Sequence, residues 1–354
     1  MKRHFAAAAA AALVTGAAGC GNAGSAPGVS ETPPPSPKQA KILFAGDAMC
    51  HMGQIASAAR QDGTYDFSAS FEHIKPLFDS ADIVAINFET VVSSDGIYSG
   101  YPRFSSPGTL ADALREAGAD IFAMANNHCC DGGAPGIAAT LTRIDSLGAL
   151  RTGVFRDSTD MAARHPLRFT HDSISFAMLN YTYGTNGLPV PKGYAVNLID
   201  TAAIRRDLRS AQDADCRIVF IHWGEEYKTA PDRTQKRLAE FIAGCGADII
   251  IGSHPHAVQP ADTTGGRIIV YSLGNFVSNQ RWRYSDGGII ASVDIRKDPD
   301  GRMHFSMSHI PVWVKLPGYR ILPPQAADAA GMSAAERTQY DQFISDTEEI
   351  MGTL

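Results

Sequence analysis

The stretch IIIGSHPH at residues 249–256 joins a short apolar run to a polar end, and this combination recurs along the chain. Three consecutive isoleucines are typical of a strand covered on both faces, because β-branched side chains pack well on a pleated surface. In an extended segment, alternate positions share one face, so His254 and His256 are expected to point the same way. The stretch predicts a buried strand whose carboxyl end presents two imidazoles.

Other short apolar runs alternate with amphipathic helical segments. The predicted strands are 41–45, 83–86, 121–125, 174–179, 218–221, 249–251 and 268–270. The predicted helices are 71–80, 110–117, 137–147, 204–211 and 233–245. Alternation of this kind indicates an α/β fold with a largely parallel sheet.

The pattern changes towards the C-terminus. Residues 288–296 and 303–313 alternate like antiparallel strands around the turn-forming stretch 298–301. They predict either a second sheet or an antiparallel edge of the same domain. The stretch SAAE at 333–336 is typical of a capping box, which predicts a C-terminal helix over 333–352.

Composition indicates a globular protein and argues against one class of function. The chain has 354 residues, of which 44% are hydrophobic and 19% charged, as in an ordinary globular protein. Its net charge of -6 argues against a general nucleic-acid binder, which carries a basic excess.

The N-terminus is typical of an export signal. Lys2 and Arg3 precede a short apolar stretch at 5–14, too short for a permanent transmembrane helix. Small residues then lead into Cys20, an order typical of bacterial lipoprotein signals, although a plain secretory signal cleaved near Gly19 is the alternative. We therefore predict a signal peptide over 1–20, lipidation of Cys20, and a polar tether over 21–40. These features predict an exported protein held at the membrane of the bacterial cell envelope by its lipid.

Polar residues follow the predicted strands where each strand ends. The set is Asp47, Glu89, Asn127, His128, His222, His254 and His256. Ligands of open α/β sheets bind beyond the carboxyl ends of the strands, so these side chains are expected at one rim. A single histidine after a strand is usually structural, but four of them with two carboxylates favour a site for Mn, Fe or Zn. Two ions would need a bridging carboxylate, for which Glu89 is suited.

The order of these motifs resembles a known family. The motifs are Gly-Asp at 46–47, Asn-x-Glu at 87–89, Asn-His at 127–128, His-Trp-Gly at 222–224, His-Pro-His at 254–256 and Ser-Leu-Gly-Asn-Phe at 272–276. They resemble the CapA family of bacterial capsule and poly-γ-glutamate synthesis proteins, which is similar in motif order to calcineurin-like metallophosphoesterases. The resemblance implies a layered αββα sandwich over residues 41–322.

The resemblance also implies roles for the site residues. The ligands of two divalent metal ions would be Asp47, Glu89, Asn127, His222, His254 and His256, and His128 would be the uncoordinated acid that protonates a leaving oxygen. Two departures weaken the phosphatase interpretation. The metallophosphoesterase pattern has Asp-x-His where this chain has Asp47-Ala-Met49, and His51 can replace that histidine only if the loop curls back. Glu89 stands where a bridging Asp is usual.

Three functions remain open from the sequence. The first is a CapA-type exopolymer synthesis protein that hydrolyses a phosphorylated or polymeric envelope substrate, with membrane synthases as implied partners. The second is a non-catalytic polymer-binding or export assembly factor, and the third is a generic extracytoplasmic phosphoesterase. Arg281 and Arg283 are predicted to bind an anionic substrate, with an exposed polar loop as the alternative. The loop at 181–189 is expected to form a rim of the site.

Overall fold

The computed structural model describes residues 36–328 and 331–352. Its strands are β1 Lys38–Ala48, β2 Ile83–Phe88, β3 Ile121–Ala123, β4 Leu150–Thr152, β5 Val154–Phe155, β6 Leu167–His171, β7 Ile174–Thr182, β8 Ala195–Val196, β9 Cys216–His222, β10 Ile249–Ser253, β11 Val258–Asp262, β12 Ile268–Leu273, β13 Asn275–Val277, β14 Gly287–Lys297, β15 Met303–Lys315 and β16 Arg320–Leu322. Its α-helices are α1 Met52–Ala58, α2 Ser68–Phe71, α3 Lys75–Asp79, α4 Thr109–Ala117, α5 Gly133–Ser146, α6 Ser158–Arg164, α7 Thr201–Ser210, α8 Arg233–Gly244 and α9 Ala334–Met351.

Two large sheets form the centre of the molecule. The first has the order β16-β15-β14-β1-β2-β3-β4, with β13 also paired to β1. Its strands β1 to β4 are parallel, whereas β14, β15 and β16 add an antiparallel edge. The predicted strands at 288–296 and 303–313 are therefore an edge of this sheet, which decides between the two alternatives. The second sheet has the order β11-β12-β10-β9-β7-β6, and its four central strands are parallel.

The sheets pack face to face, and helices cover their outer faces. Phe44 of β1 meets Phe220 of β9 across the interface, with ring centroids 6.3 Å apart, and both side chains are fully buried. Removing one such ring costs about 3–5 kcal/mol of folding stability. Helices α4 and α5 pack on the first sheet, and α7 and α8 pack on the second. The layered αββα sandwich predicted from the sequence is confirmed.

Two predicted boundaries were wrong. The helix expected over 71–80 is divided into α2 and α3, because Pro76 has no N–H to donate to the carbonyl four residues earlier. Strand β1 begins at Lys38 rather than after a tether ending at residue 40, because Lys38 and Gln39 pair with β14. The predicted signal peptide, Cys20 and most of the tether lie outside the described residues.

Helix α9 packs across the antiparallel edge of the first sheet. Its N-cap Ser333 accepts the Glu336 N–H, and Glu336 accepts the Ser333 N–H, which completes a capping box. Tyr340 and Phe343 of the helix pack against Trp313 of β15. Within the described residues, no helix is both long enough and apolar enough to cross a bilayer.

Candidate metal centre

The polar strand ends of both sheets meet at one rim of the sandwich. Asp47 near the end of β1 lies beside Asn87 of β2, and His222 at the end of β9 lies beside Ser253 of β10. The first sheet thus contributes carboxylates and the second contributes imidazoles. All of these side chains are buried, because the loops beyond the strands fold over them.

Asn87 fixes the two carboxylates of the site. Its Nδ2 donates to Asp47 Oδ1 at 2.8 Å and to Glu89 Oε2 at 3.1 Å. The other Asp47 oxygen lies 2.9 Å from His256 Nδ1. Burial, together with the nearby Asp47 carboxylate, raises the pKa of Glu89 well above its usual range. Two fully buried carboxylates are therefore held close together.

The free oxygen of Glu89 lies between two imidazoles. Oε1 is 3.7 Å from His222 Nε2 and 3.7 Å from His256 Nε2, and it has no hydrogen-bond partner. A buried carboxylate oxygen without a partner is costly unless a cation or a donor compensates it. Oε1 is therefore equidistant from two ring nitrogens, and the bridging role of Glu89 stays a prediction.

The histidines are prepared to accept a metal ion. Burial, reinforced by neighbouring imidazoles, lowers the pKa of His222 well below its usual range and that of His254 to about 3. Both rings are thus neutral, which is the form that binds metals. His222 Nδ1 is 2.9 Å from Ser253 Oγ and its Nε2 is 3.0 Å from Asn127 Oδ1, whereas His254 Nδ1 has no partner.

Three groups of side chains place ligand atoms within 4.8 Å of one another. They are Glu89, His222 and His254; Asp47, Glu89 and His256; and Glu226, His254 and His256. The first two share Glu89 and contain five of the six predicted ligands, and Asn127 contacts His222 beside them. The carboxylate, imidazole and amide donors fit a divalent metal ion.

His128 stands next to this cluster but outside the three groups. Its Nδ1 lies 2.7 Å from Asp131 Oδ2, an oxygen that also accepts the Phe104 N–H at 2.8 Å. The Phe104 ring packs edge-on against the imidazole, with centroids 4.6 Å apart. The ring of His128 is therefore oriented by a carboxylate and an aromatic side chain, and its role as the acid stays a prediction.

Comparison with known proteins identifies the family to which this chain belongs. The family model for the bacterial capsule synthesis protein PGA_cap matches residues 41–280. The chain belongs to the bacterial capsule synthesis family PGA_cap. The PGA biosynthesis protein CapA of Bacillus subtilis (strain 168) is 28% identical over 290 residues, which cover 78% of this chain and 73% of that protein. The capsule biosynthesis protein CapA of Bacillus anthracis is 30% identical over 275 residues, covering 72% of this chain and 64% of that protein. The predicted resemblance to CapA is confirmed.

Solved structures with a similar fold share little sequence with this PGA_cap chain. The 5'-nucleotidase from Candida albicans SC5314 is 11% identical with a TM-score of 0.48, covering 87% of this chain and 58% of that one. The protein TT1561 of Thermus thermophilus is 10% identical with a TM-score of 0.41, covering 75% of this chain and 98% of that one.

The His254-Pro-His256 segment of this family member is not extended, contrary to the sequence prediction. His254 has φ +100° and His256 has φ +55°, so both lie in the left-handed region. The Tyr227 N–H donates to the Pro255 carbonyl at 2.6 Å and thereby ties the segment to the loop after β9. The two rings still converge, with centroids 5.9 Å apart, but tertiary contacts rather than strand alternation bring them together.

Two cavities open beside the cluster. One of about 420 Å³ is lined by Met49, His51, Tyr101, His128, Glu226, Tyr227, His256, Asn279, Gln280 and Trp282. A second of about 240 Å³ is lined by Tyr101, Pro102, Arg103, Asn127, His128, Asp131, Asn186, Leu188 and Glu226. Three residues, Tyr101, His128 and Glu226, border both cavities.

The predicted substrate-binding arginines are directed elsewhere. Arg281 donates to the carbonyl oxygens of Val314 and Ser278, and Arg283 forms an ion pair with Asp346 of α9 at 2.8 Å. Neither lines the two cavities, because the loop that carries them turns towards α9. Arg103, which no sequence motif singled out, is the arginine that borders the smaller cavity.

His51 does not join the predicted ligands. Its Nδ1 accepts the Asn279 N–H at 3.3 Å, and its ring packs edge-on against Phe104, although it does line the larger cavity. The rim predicted at 181–189 does contact the cluster, since the Tyr183 ring lies 4.6 Å from His254. Asn87 and Asp131 were missed as positioning residues. The Asn-x-Glu motif already contained the first, and the three-residue spacing from His128 could have suggested the second.

Proposed function

We propose that this chain is an extracytoplasmic exopolymer synthesis protein whose divalent metal centre hydrolyses a phosphoester bond of an envelope substrate. The observation that carries the proposal is Glu89 Oε1, a fully buried carboxylate oxygen without a partner, 3.7 Å from the Nε2 atoms of both His222 and His256. A bound metal ion would satisfy that oxygen, whereas buried structural carboxylates rarely keep an oxygen without a partner. Family membership supplies the link to capsule synthesis.

Asp47, Glu89, Asn127, His222, His254 and His256 would hold the metal. When bound, divalent ions supply an activated water and withdraw charge from a phosphoryl oxygen. His128 provides the proton for the leaving oxygen, because its Nδ1–H donates a hydrogen bond to Asp131 and its Nε2 is left to exchange a proton with the substrate. The six ligand residues would thus bind the metal, and the oriented imidazole of His128 supplies the proton.

The cavities support a phosphorylated substrate more than a long anionic polymer. Among the described residues that border them, Arg103 is the only arginine or lysine, and Glu226 contributes a negative charge. One arginine beside the cluster suits a single phosphate group, whereas repeated carboxylates need repeated cations. Exposed rings of Tyr101 and Trp282 stand at the mouth, where they can pack against the rest of the substrate.

A non-catalytic assembly factor is the alternative, and the first motif favours it. Met49 stands where metallophosphoesterases have a histidine, and His51 belongs to none of the three ligand groups. An incomplete centre can bind a polymer or a partner without turnover. Export and lipidation at Cys20 are proposed from the sequence alone, as are partner synthases in the membrane.

Hydrolysis of a phosphate diester by the purified chain, with and without added Mn²⁺, tests the proposal together with metal analysis. We expect bound metal in the wild-type protein and turnover that depends on it. The double variant His254→Ala/His256→Ala should lose both. A wild-type protein without bound metal would overturn the proposal of a metal centre. Bound metal without turnover would favour the non-catalytic assembly factor.

A further inference from the structure

Glu226 lies beside the histidine pair at the open side of the cluster. Its carboxylate and the ring nitrogens of His254 and His256 fall within 4.8 Å of one another. Unlike the buried Asp47 and Glu89, Glu226 is exposed and borders both cavities. An exposed carboxylate alone would mean little, but His254 is 4% exposed and its Nδ1 has no hydrogen-bond partner. One of the two histidines grouped with this carboxylate therefore carries an unsatisfied buried ring nitrogen.

The loop after β9 is built to keep Glu226 in this position. Gly224 turns the chain at φ +88°, where a side chain would also collide with Gln235 at 2.6 Å. The residue after Glu226 is anchored as well, because the Tyr227 N–H donates to the Pro255 carbonyl at 2.6 Å, directly between the two histidines. Gln280 Nε2 donates to the Tyr227 hydroxyl at 3.3 Å and holds the same turn from the other side. Glu226 is thus fixed from both flanks.

Other groups near the gap in the first motif are unsuited to fill it. His51 belongs to none of the three ligand groups, and Met49 offers a thioether, a soft ligand that hard ions such as Mn²⁺ disfavour. Asp131 serves His128 and Phe104. Among the described residues, Glu226 is the additional carboxylate that shares a ligand group with His254 and His256.

We propose that Glu226 is a metal ligand on the open side of the centre, where it takes the place of the first-motif histidine that this chain lacks. This inference rests on the proposed metal centre and adds a seventh ligand to the six predicted from the sequence. It also changes the charge of the site. Two divalent ions with Asp47 and Glu89 carry a net charge of about +2, and Glu226 reduces it to about +1, which matches a singly charged phosphate diester.

The test is Mn²⁺ titration of the purified, chelator-treated full chain by calorimetry, with the number of bound ions counted by elemental analysis after dialysis. Glu226→Ala is compared with Glu225→Ala, which removes the adjacent exposed carboxylate. We expect two ions in the wild type, one of them bound at least about tenfold more weakly in Glu226→Ala, and no change in Glu225→Ala. Equal number and affinity of ions in Glu226→Ala and wild type would overturn the inference.

The two proposals fail in different ways. A wild-type chain that binds no Mn²⁺ overturns the centre itself, whereas a wild type with two ions and an unchanged Glu226→Ala overturns only the role of Glu226. Thermal melting of the metal-free proteins checks folding. If Glu226→Ala melts at a lower temperature than wild type, the isosteric Glu226→Gln, which lacks the charge, is titrated in its place. Weaker binding of one ion then supports the role of Glu226, and unchanged binding overturns it.

Discussion

His128 and Asp131 form a buried pair in which the imidazole Nδ1 lies 2.7 Å from a carboxylate oxygen. The same oxygen accepts the Phe104 N–H at 2.8 Å, so the carboxylate is itself fixed. A carboxylate at Nδ1 selects the tautomer that carries its proton there and stabilises the imidazolium that forms during proton transfer. The pair is therefore arranged for one nitrogen to be held and the other to exchange a proton.

Asp131→Asn should lower kcat for phosphate diester hydrolysis by about 10²–10⁴-fold, because the amide cannot stabilise a charged imidazole. Bound metal should be unchanged, since neither residue belongs to the ligand groups. Steady-state kinetics with metal analysis of the same samples checks both. The double variant Asp131→Asn/His128→Ala should be no slower than His128→Ala alone, because the two residues act as one unit. Undiminished turnover in Asp131→Asn would show that Asp131 does not act through His128, and undiminished turnover in His128→Ala would remove His128 from the mechanism.

Arg103→Ala should raise the KM for an anionic diester by about tenfold, with a smaller change in kcat. The guanidinium borders the cavity beside His128, and a charge-assisted hydrogen bond contributes about 1.5–3 kcal/mol. Arg283→Ala is the matched comparison, because its partner is Asp346 of α9. We expect the KM of Arg283→Ala to equal that of the wild type. A raised KM in Arg283→Ala and an unchanged KM in Arg103→Ala would show that Arg283 binds the substrate, as predicted from the sequence.

The fold was predictable because its strands carry strong local signals. Three consecutive β-branched isoleucines at 249–251 are typical of a buried strand, and the polar residues after them indicated the edge of the sheet where the site lies. Parallel strands collect their carboxyl ends at one edge, so Asp47 and His222 could be assigned to one site although they are far apart in the sequence. The hairpin at 288–313 was ambiguous, because alternation shows that a strand is half-buried without showing which sheet it joins.

The details of the site depended on contacts between distant segments. The left-handed backbone of His254 and His256 follows from the hydrogen bond between Tyr227 and Pro255, which no local pattern reveals. Arg103 reaches the cavity from a loop without any motif of its own. The direction of Arg283 was missed because its partner lies 63 residues later in α9.

Cys20→Ala should move the protein from the membrane fraction to the soluble fraction of the exporting cell. A thioether-linked lipid at this position is the predicted anchor, and a signal without it leaves a secreted chain. Immunoblots of fractionated cells measure the distribution. Cys245→Ala, a change at a half-buried free thiol, serves as the control and should leave the protein membrane-bound. Unchanged membrane association of Cys20→Ala would count against lipid anchoring.

Gly252→Ala should destabilise the protein by about 1–3 kcal/mol and weaken metal binding. A Cβ at this position would lie 2.0 Å from the Tyr271 carbonyl oxygen, so β10 must shift away from β12 just before His254. Gly244→Ala is the control, because a Cβ there meets open space at the end of α8, and it should stabilise by up to about 1 kcal/mol. Urea unfolding measures both, and equal stabilities would show that the strand tolerates the shift.

The free energy of unfolding should fall as the pH is lowered from 7 to 5, partly because of His51. Burial lowers the pKa of His51 to about 4, whereas the unfolded chain has the ordinary value of about 6.5. Above pH 6.5 the ring is neutral in both states and contributes nothing. Between pH 6.5 and 4 the unfolded state binds a proton that the folded state does not, so the loss at pH 5 is about 2 kcal/mol.

His51→Asn isolates this contribution, because asparagine cannot titrate and is a good N-cap for α1. Urea unfolding of both proteins at pH 7 and pH 5, with chelator present, gives the two differences. His222 and His254 titrate in both proteins, so their contributions cancel in the comparison. We expect the wild type to lose about 2 kcal/mol more than His51→Asn between these pH values. An equal loss of unfolding free energy in the two proteins would mean that the His51 ring takes up its proton as easily in the folded chain as in the unfolded one.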